Sequence, residues 1–343
     1  MKKSMLGLSA LVASTPLHGQ QPAKPLFASD APIRVTIQGP ISTIVRSAEN
    51  SVTPRDATIA VPGAETLAIR LSPRGITRRK KDVCDFPPLR VEFTQPPAAS
   101  SLFAGQRRLK LVTHCRQSAG FQQFTLMEYS AYRLFNVITP TSFRVRLATV
   151  DYAEPTGKVS ASRTGFFIED IDDVGRRNGL AEARVGDRIP NTQLDPAQAA
   201  RVALFEYMIA NLDWSMRAGP QGEGCCHNSR LLSKSASSFA PVPYDFDYSG
   251  LVDAPYAVPP AQIKVRSVRT RFYQGYCRHN NEVLAAAADF RAKRGAIEGV
   301  FSQIPGLEQR TQRKALSFLA GFYQEIATDE AVRANILKEC IGA

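Results

Sequence analysis

The chain has 343 residues, with 43 Lys and Arg against 31 Asp and Glu, six Cys and 44% hydrophobic residues. An apolar fraction near the globular norm, with 22% charged residues, excludes a disordered or collagen-like chain. Beyond the N-terminus no apolar run reaches the roughly 18–20 residues of a membrane span, which excludes an integral membrane protein. The formal net charge of +12 favours an anionic partner: a phosphate-bearing ligand, nucleic acid, an anionic surface or an acidic polymer.

The first 19 residues are typical of a secretory signal peptide. Lys2 and Lys3 form a short basic region, and the apolar stretch over residues 5–13 is too short for a stop-transfer helix. Cleavage is expected after Ser14 or Gly19, and the competing interpretation is a frayed cytosolic N-terminus. We therefore expect an exported protein of the periplasm or cell envelope, with residues 20–32 as a polar linker.

The six cysteines agree with export, because an even number of Cys in an exported chain indicates disulfides. The first expected pair is Cys84 with Cys115, since these residues flank two strand-like runs. The second is Cys225 or Cys226 with Cys277. A zinc site at Cys225, Cys226 and His227 is disfavoured, because adjacent ligands are poorly placed for tetrahedral coordination.

The predicted elements of the first half are mostly strands. Alternating or β-branched runs, punctuated by Pro and Gly, predict strands at 33–37, 41–45, 57–61, 66–71 and 89–93, then at 107–115, 143–150 and 165–169. Between them, apolar residues recur every three or four positions over 119–138, which predicts one amphipathic helix.

The second half is predicted to be mainly helical. Asp195 and Pro196 are a favourable helix start, and that helix is expected to reach about residue 211. Further helices are expected near 281–294, 307–326 and 328–340, after a loop-rich stretch over 213–275 with short strands near Arg230 and Val242. The sequence thus predicts a two-lobed α+β protein, with a β-rich lobe over 33–171 and a mainly helical lobe over 172–343.

One acidic side chain lies on the apolar stripe of the helix at 119–138. Glu128 shares that stripe with Phe124 and Phe135, and a carboxylate there requires a cation. Lys110 lies in the preceding strand, on the face opposite Leu109 and Leu111. A strand Lys paired with a helix Glu is how protein kinases hold the α- and β-phosphates of ATP. The alternative is a surface Lys and a half-exposed Glu.

Further polar residues follow in an order that suits phosphoryl transfer. Asp213 closes a helix, Asn228 precedes a short strand, and Asp245 and Asp247 form a turn after the next strand. Such chemistry needs a carboxylate to orient the attacking hydroxyl and oxygen donors to hold magnesium. The basic cluster at 78–81 is either a solvated loop or a contact for phosphate or an acidic partner.

These motifs resemble the CotH-type atypical kinases, the spore-coat kinase family of the protein-kinase-like fold. The similarity extends over about 65–255 and is carried by the runs at 67–75, 79–81, 89–93, 165–171, 227–232 and 242–247. It implies a two-lobed kinase-like fold, ATP bound between the lobes with Mg²⁺, and phosphorylation of a protein hydroxyl. It also implies that Lys110 binds phosphate, that Glu128 positions Lys110, and that Asp213 is the catalytic carboxylate.

The resemblance further implies ligands for the cofactors. Asn228 and Asp245 or Asp247 would bind magnesium, and Glu169 and Ile171 would lie near the adenine. The chain departs from ordinary protein kinases in lacking a Gly-x-Gly-x-x-Gly loop, and Asn228 follows Asp213 by fifteen residues rather than five.

The leading hypothesis is an exported kinase-like enzyme that transfers the γ-phosphate of Mg-ATP to a protein Ser or Thr. Its alternative is a catalytically silent kinase-like binding protein of the periplasm or envelope, because free ATP is scarce outside the cytoplasm. A protein substrate or envelope partner is expected, with acidic character favoured by the basic charge, and nucleic acid is not. A hydrolase is disfavoured, because the chain has neither a Gly-x-Ser-x-Gly elbow nor a His-Glu-x-x-His helix.

Overall fold

The computed structural model of the protein describes residues 21–235 and 237–342. The expected signal peptide at 1–19 lies outside the described residues. Within the expected linker, Leu26 and Phe27 are buried against the first group of strands.

Seven strands form a closed barrel. They are β1 (Ile33–Gln38), β2 (Arg55–Val61), β3 (Glu65–Pro73), β4 (Leu89–Phe93), β5 (Arg108–Val112), β6 (Val145–Ala153) and β7 (Val159–Ile168). The order around the barrel is β1-β2-β3-β4-β5-β7-β6. Neighbours are antiparallel except β1 and β6, which pair in parallel with Ile33 opposite Ala148 and so close the sheet.

Alternation along the strands produces two hydrophobic cores. Residues whose side chains point into the barrel, such as Ile69, Leu111 and Phe167, fill its interior. Their neighbours Val112 and Phe166 point outward and pack against the long helix α2 (Gln122–Ile138). The Phe166 ring contacts the rings of both Tyr129 and Tyr132 on that helix.

Eight α-helices occur in the described part of the chain. Besides α2 they are α1 (Ile41–Ser47), α3 (Ile171–Asn178), α4 (Pro196–Met208), α5 (Asn280–Ala292), α6 (Arg294–Gly299), α7 (Gln309–Glu325) and α8 (Asp329–Asn335). A small second sheet has the order β10-β9-β8, formed by β8 (Ala181–Glu182), β9 (Ser229–Ser235) and β10 (Ser238–Pro243).

The predicted two-lobed kinase-like fold is wrong. The strands of the first half close into a seven-stranded mixed barrel, instead of forming a β-rich lobe beside a helical one. The helices pack directly on the barrel wall, because one continuous hydrophobic cluster joins Phe166 of β7 to Phe205, Phe290 and Phe322 of α4, α5 and α7. Closure depends on the parallel pairing of β1 with β6, which are distant in sequence.

Most helices and strands were predicted correctly, but one predicted strand is a helix. The run at 41–45, expected as a strand, is the helix α1. Only Ile41 and Ile44 are buried there, and this three-residue spacing is that of a helix face. The helix start at Asp195 is confirmed, since its carboxylate accepts the backbone N–H of Gln198, although α4 ends earlier than expected.

Three disulfides are present, and the described residues contain no free cysteine. The predicted Cys84–Cys115 bridge is confirmed. The expected pairing of Cys225 or Cys226 with Cys277 is wrong: Cys225 is bonded to Cys226, and Cys277 to Cys340. Disulfides of this number are consistent with an oxidising, exported environment. Among the described helices none is long and apolar enough to cross a bilayer.

Candidate functional site

A cleft beside the barrel brings together most of the predicted site residues. Its cavity volume is about 440 Å³, within the range of small-molecule sites. The β3–β4 loop, β5, the loop after α4 and the ends of β9 and β10 contribute to its wall. The predicted residues that line it are Lys110, Asp213, Asn228, Asp245 and Asp247.

The two turns that enter the cleft have unusual backbone conformations. Asn228, before β9, has φ of 50°, and Asp245, after β10, has φ of 67°. Asn and Asp are the residues other than Gly that adopt this left-handed region most readily. The turns are fixed to their surroundings, because the Asp245 N–H donates to the Tyr132 hydroxyl at 2.9 Å and the Tyr244 N–H donates to the Asn228 carbonyl at 3.0 Å. Their side chains are therefore presented on well-defined backbone.

Asp213 is held by two neighbours from the following segment. Its Oδ1 lies 2.7 Å from Nε2 of His227, and the amide of Asn228 donates to its carbonyl at 2.7 Å and to its Oδ2 at 3.2 Å. The backbone N–H of Asp213 donates to Oδ1 of Asn211. The hydrogen bond with Asp213 raises the pKa of His227. This carboxylate is partly exposed and oriented, as an acceptor for a hydroxyl proton must be.

The ion pair expected between Lys110 and Glu128 is not formed. Arg78, in the β3–β4 loop, takes the Glu128 carboxylate instead, with Nη1–Oε2 at 2.8 Å and Nη2–Oε1 at 3.3 Å. The same guanidinium reaches Asp245 at 3.1 Å and Asp247 at 3.3 Å. Glu128 therefore lies behind the cleft wall and contacts Arg78 rather than the strand lysine.

Arg78 is the functional residue that sequence reasoning missed. It was assigned to a basic cluster in a loop, yet its side chain is almost completely buried. The signal was available, because Glu128 on an apolar stripe required a cation. Sequence spacing could not show which cation would reach Glu128, since Arg78 and Lys110 both precede α2.

Three carboxylates share this single guanidinium, and burial and mutual repulsion shift their pKa values. Burial raises the pKa of Glu128, an effect that Arg78 only partly offsets. Burial also raises the pKa of Asp247, again opposed by Arg78. For Asp245 burial acts in the same direction, but Arg78, Arg74 and Lys110 together bring its pKa below the usual value. Asp245, the most exposed of the three, is therefore the one that stays ionised.

Lys110 has a different environment from the one expected. As predicted from alternation, it faces away from Leu109 and Leu111, which are buried in the barrel. Its Nζ lies 4.3 Å from the centre of the Tyr244 ring, a cation–π contact. Among the described residues no carboxylate lies at ion-pair distance from it. Burial, and then repulsion from Arg74 and Arg230, lower its pKa to about 7.

Lys110 is thus part of a group of cations with excess positive charge. The side chains of Arg74, Arg90 and Arg230 line the same cleft. The nearest acidic partners of Arg90 and Arg230 are Glu92 at 3.8 Å and Glu182 at 3.9 Å, both weak contacts at the protein surface. With Arg78 included, five cationic and four acidic side chains line the cleft, so its net charge is slightly positive and suits an anion.

The predicted adenine contacts lie in a separate, smaller cavity. Glu169 and Ile171 line a space of about 100 Å³ that also touches Lys110. The Glu169 carboxylate accepts two hydrogen bonds from Arg177 and one from the Arg144 backbone, so both of its oxygens are occupied within the protein. This space is small beside the roughly 300–1,000 Å³ of ligand pockets. Glu169 and Ile171 are consequently poorly suited to hold a base in this conformation.

Two of the oxygen donors in the cleft fit a magnesium ion. Glu128, Asp245 and Asp247 each offer an oxygen, with these atoms within 4.8 Å of one another, but Arg78 already contacts all three carboxylates. Oδ1 of Asn228 and Oδ2 of Asp245 have no hydrogen-bond donor among the described residues. These two hard oxygens fit a Mg²⁺ ion that keeps several waters and phosphate oxygens as its remaining ligands.

Comparison with known proteins adds no assignment. No protein-family model matches the chain, and none of the curated proteins matches it significantly. The case for a function therefore depends on the chemistry of the cleft.

Proposed function

We propose that the cleft binds the phosphates of Mg-ATP and supports transfer of the γ-phosphoryl group to a Ser or Thr hydroxyl of a protein. The observation that carries the proposal is Lys110, a half-buried cation with no carboxylate partner in the described structure, flanked by Arg74 and Arg230 and facing the cleft of Asp213 and Asp245. The resemblance to the CotH-type kinases remains part of this proposal and rests on the short motifs alone.

Each cleft residue has a role in such a transfer. Lys110 binds a phosphate oxygen, which gives it the anionic partner that it lacks within the described residues. Arg74 and Arg230 neutralise further phosphate charge. Asn228 and Asp245 hold the magnesium ion, which supplies charge neutralisation on the phosphates. Asp245 suits this role because Arg78 keeps it ionised.

Asp213 orients the acceptor hydroxyl and takes its proton. The hydroxyl oxygen forms the new bond to the γ-phosphorus as the bond to the β-phosphate oxygen breaks, so the products are a phosphorylated protein and ADP. His227 and Asn228 fix the orientation of Asp213 through the hydrogen bonds described above. His227, whose pKa is raised by the hydrogen bond with Asp213, balances the charge of the ionised carboxylate before the proton is transferred.

A second function is favoured by one specific observation. Arg78 binds Glu128, Asp245 and Asp247 at once, which reduces the negative charge available for a metal ion. This contact supports a second function, in which the cleft binds an anionic ligand without magnesium and without turnover. The two functions differ in their dependence on the metal.

Calorimetry of ATP binding to the full mature chain, with and without Mg²⁺, tests both. The informative variant is Lys110→Met, and its matched control is Lys158→Met on the exposed turn after β6. Magnesium-dependent binding that is lost in Lys110→Met and kept in Lys158→Met supports the transferase. Binding that needs Lys110 and ignores Mg²⁺ supports the silent binding protein. Absence of binding at millimolar ATP overturns the transferase and any silent function in which the ligand is a nucleotide.

A further inference from the structure

A second basic groove lies away from the cleft and shares no lining residue with it. It is formed by the first half of α7 and by the segment that carries Arg269 and Arg271, and its cavity volume is about 770 Å³. Five of the side chains that line it are cationic and one, Asp253, is acidic. The cations are Arg269, Arg271, Arg310, Arg313 and Lys314.

Three cations lie in the first two turns of α7. Arg310 is in the first turn, near the positive end of the helix dipole, and Arg313 and Lys314 follow in the second, while the N-cap residue is the acidic Glu308. All three cationic side chains are exposed, and within the described structure none of them forms an ion pair. They create a positive surface, as a binding site for an anion requires.

The segment of Arg269 and Arg271 packs on one aromatic ring of α7. The guanidinium carbons of Arg269 and Arg271 lie 4.8 Å and 4.3 Å from the centre of the Phe318 ring. Arg271 is fixed further, because it donates to the Phe318 carbonyl at 2.6 Å. Arg269 already pairs with Asp253 at 3.1 Å, so the cations free for a ligand carboxylate are chiefly the three on α7, beside the Phe318 ring.

We propose that this groove binds an acidic segment of a partner protein. Carboxylates of the segment pair with the arginines, and an apolar side chain between them contacts Phe318. The lining combines five cations with an aromatic ring, and a short peptide segment can supply both carboxylates and an apolar side chain within a few residues. The inference is independent of the proposed function, since the groove and the cleft have different residues.

The probe is a fluorescein-labelled Glu-rich peptide that also contains Leu, titrated with the full mature chain in the absence of nucleotide. The groove variant is Arg310→Gln/Arg313→Gln/Lys314→Gln. Its matched control, Arg107→Gln/Lys158→Gln/Lys338→Gln, removes the same charge from exposed sites elsewhere. We expect Kd to rise about tenfold in the groove variant and less than about twofold in the control.

Phe318→Leu separates docking from general electrostatics. It should weaken the Leu-containing peptide more than a Leu-free Glu peptide, because the contact with Leu is lost in addition to the contacts that Arg269 and Arg271 make with the ring. The groove variant should melt at the wild-type temperature or above, because cations have been removed from the start of α7. Equal losses in the groove and control variants, or no binding by the wild-type chain, would overturn the proposal. Groove-dependent binding that is tighter for anionic vesicles or duplex DNA than for the peptide would overturn the assignment of a protein partner.

Discussion

Arg78 binds Glu128 through both terminal nitrogens of its guanidinium. The sequence had predicted that a strand lysine, Lys110, would bind this carboxylate. The pair is almost completely buried and extends to Asp245 and Asp247. The contact joins the β3–β4 loop, helix α2 and the turn after β10. The shape of the cleft therefore depends on an arginine in a loop.

Replacing this arginine should destabilise the protein strongly. Arg78→Met leaves buried carboxylates without a cation, and breaking a buried ion pair from one side costs about 3–5 kcal/mol. Urea unfolding at pH 7 measures the loss. Lys80→Met, in the same loop but exposed, is the control and should stay within about 0.5 kcal/mol of wild type. A loss below about 1 kcal/mol in Arg78→Met would show that the carboxylates are neutral without it.

Lys110 should reduce stability at neutral pH. Its folded pKa of about 7 lies below the ordinary value of 10.5, so the unfolded chain binds the proton more tightly between these values. The free energy of unfolding therefore rises with pH across this interval, and the rise should be absent in Lys110→Met. At pH 7 the variant should be more stable than wild type by at least about 1 kcal/mol. Urea titrations from pH 7 to 10 test this, and parallel pH profiles for the two proteins would contradict it.

Replacing Asp213 should separate binding from transfer. In Asp213→Asn the carboxylate that accepts the hydroxyl proton is lost, while Lys110, Asn228 and Asp245 remain in the cleft. Mg-ATP binding should persist and phosphorylation of an acceptor protein should fall at least about 100-fold. The pKa of His227, measured by NMR, should fall back toward its usual value. An unchanged rate of transfer would remove Asp213 from the proposed chemistry.

His114 should make the barrel sensitive to acid. Its ring is buried beside Phe86 and Tyr152, and neither ring nitrogen has a hydrogen-bond partner among the described residues. Burial lowers its folded pKa to about 4. Stability from the neutral ring is therefore present above pH 6.5 and is lost as the pH falls toward 4, by about 3 kcal/mol. Thermal melts of His114→Phe should show a shallower decline across this interval, and an identical decline would refute the assignment.

The two long-range disulfides should contribute different amounts to the free energy of unfolding. Cys84–Cys115 spans 31 residues and Cys277–Cys340 spans 63. Chain-entropy arguments give about 4 kcal/mol for such a bridge, and about 0.6 kcal/mol more for the longer loop. Paired Cys→Ala variants measured by urea unfolding test the order. A larger loss from removing Cys84–Cys115 would show that local packing outweighs loop length.

The parts of the fold that depend on local pattern were predictable. The helix at 119–138 and most of the barrel strands followed from periodicity, and the Cys84–Cys115 bridge followed from the ends of adjacent strands. Barrel closure was not predictable, because the parallel pairing of β1 with β6 leaves no signature in either strand. The Cys277–Cys340 bridge depends on a similar long-range contact, in which Tyr276 pairs with Ile341.

The candidate site was also predictable only in part. Sequence order identified Lys110, Asp213, Asn228 and Asp245, and the structure brings these residues into one cleft. The prediction that Lys110 is the cation beside Glu128 was wrong. That cation is Arg78, and its position depends on the path of a loop, which loop length does not determine. Whether the cleft binds Mg-ATP remains a prediction.

The parallel seam between β1 and β6 also governs how the chain reaches its native state. Ile33 finds Ala148 only after the intervening strands and α2 have been synthesised, so the search is long and the folding rate low. Until then β1 presents an unpaired edge on which another chain can add a strand. A nascent or truncated chain that ends before Val145 therefore lacks its closing partner and is prone to aggregate, and a chaperone that covers β1 would raise the yield of folded protein.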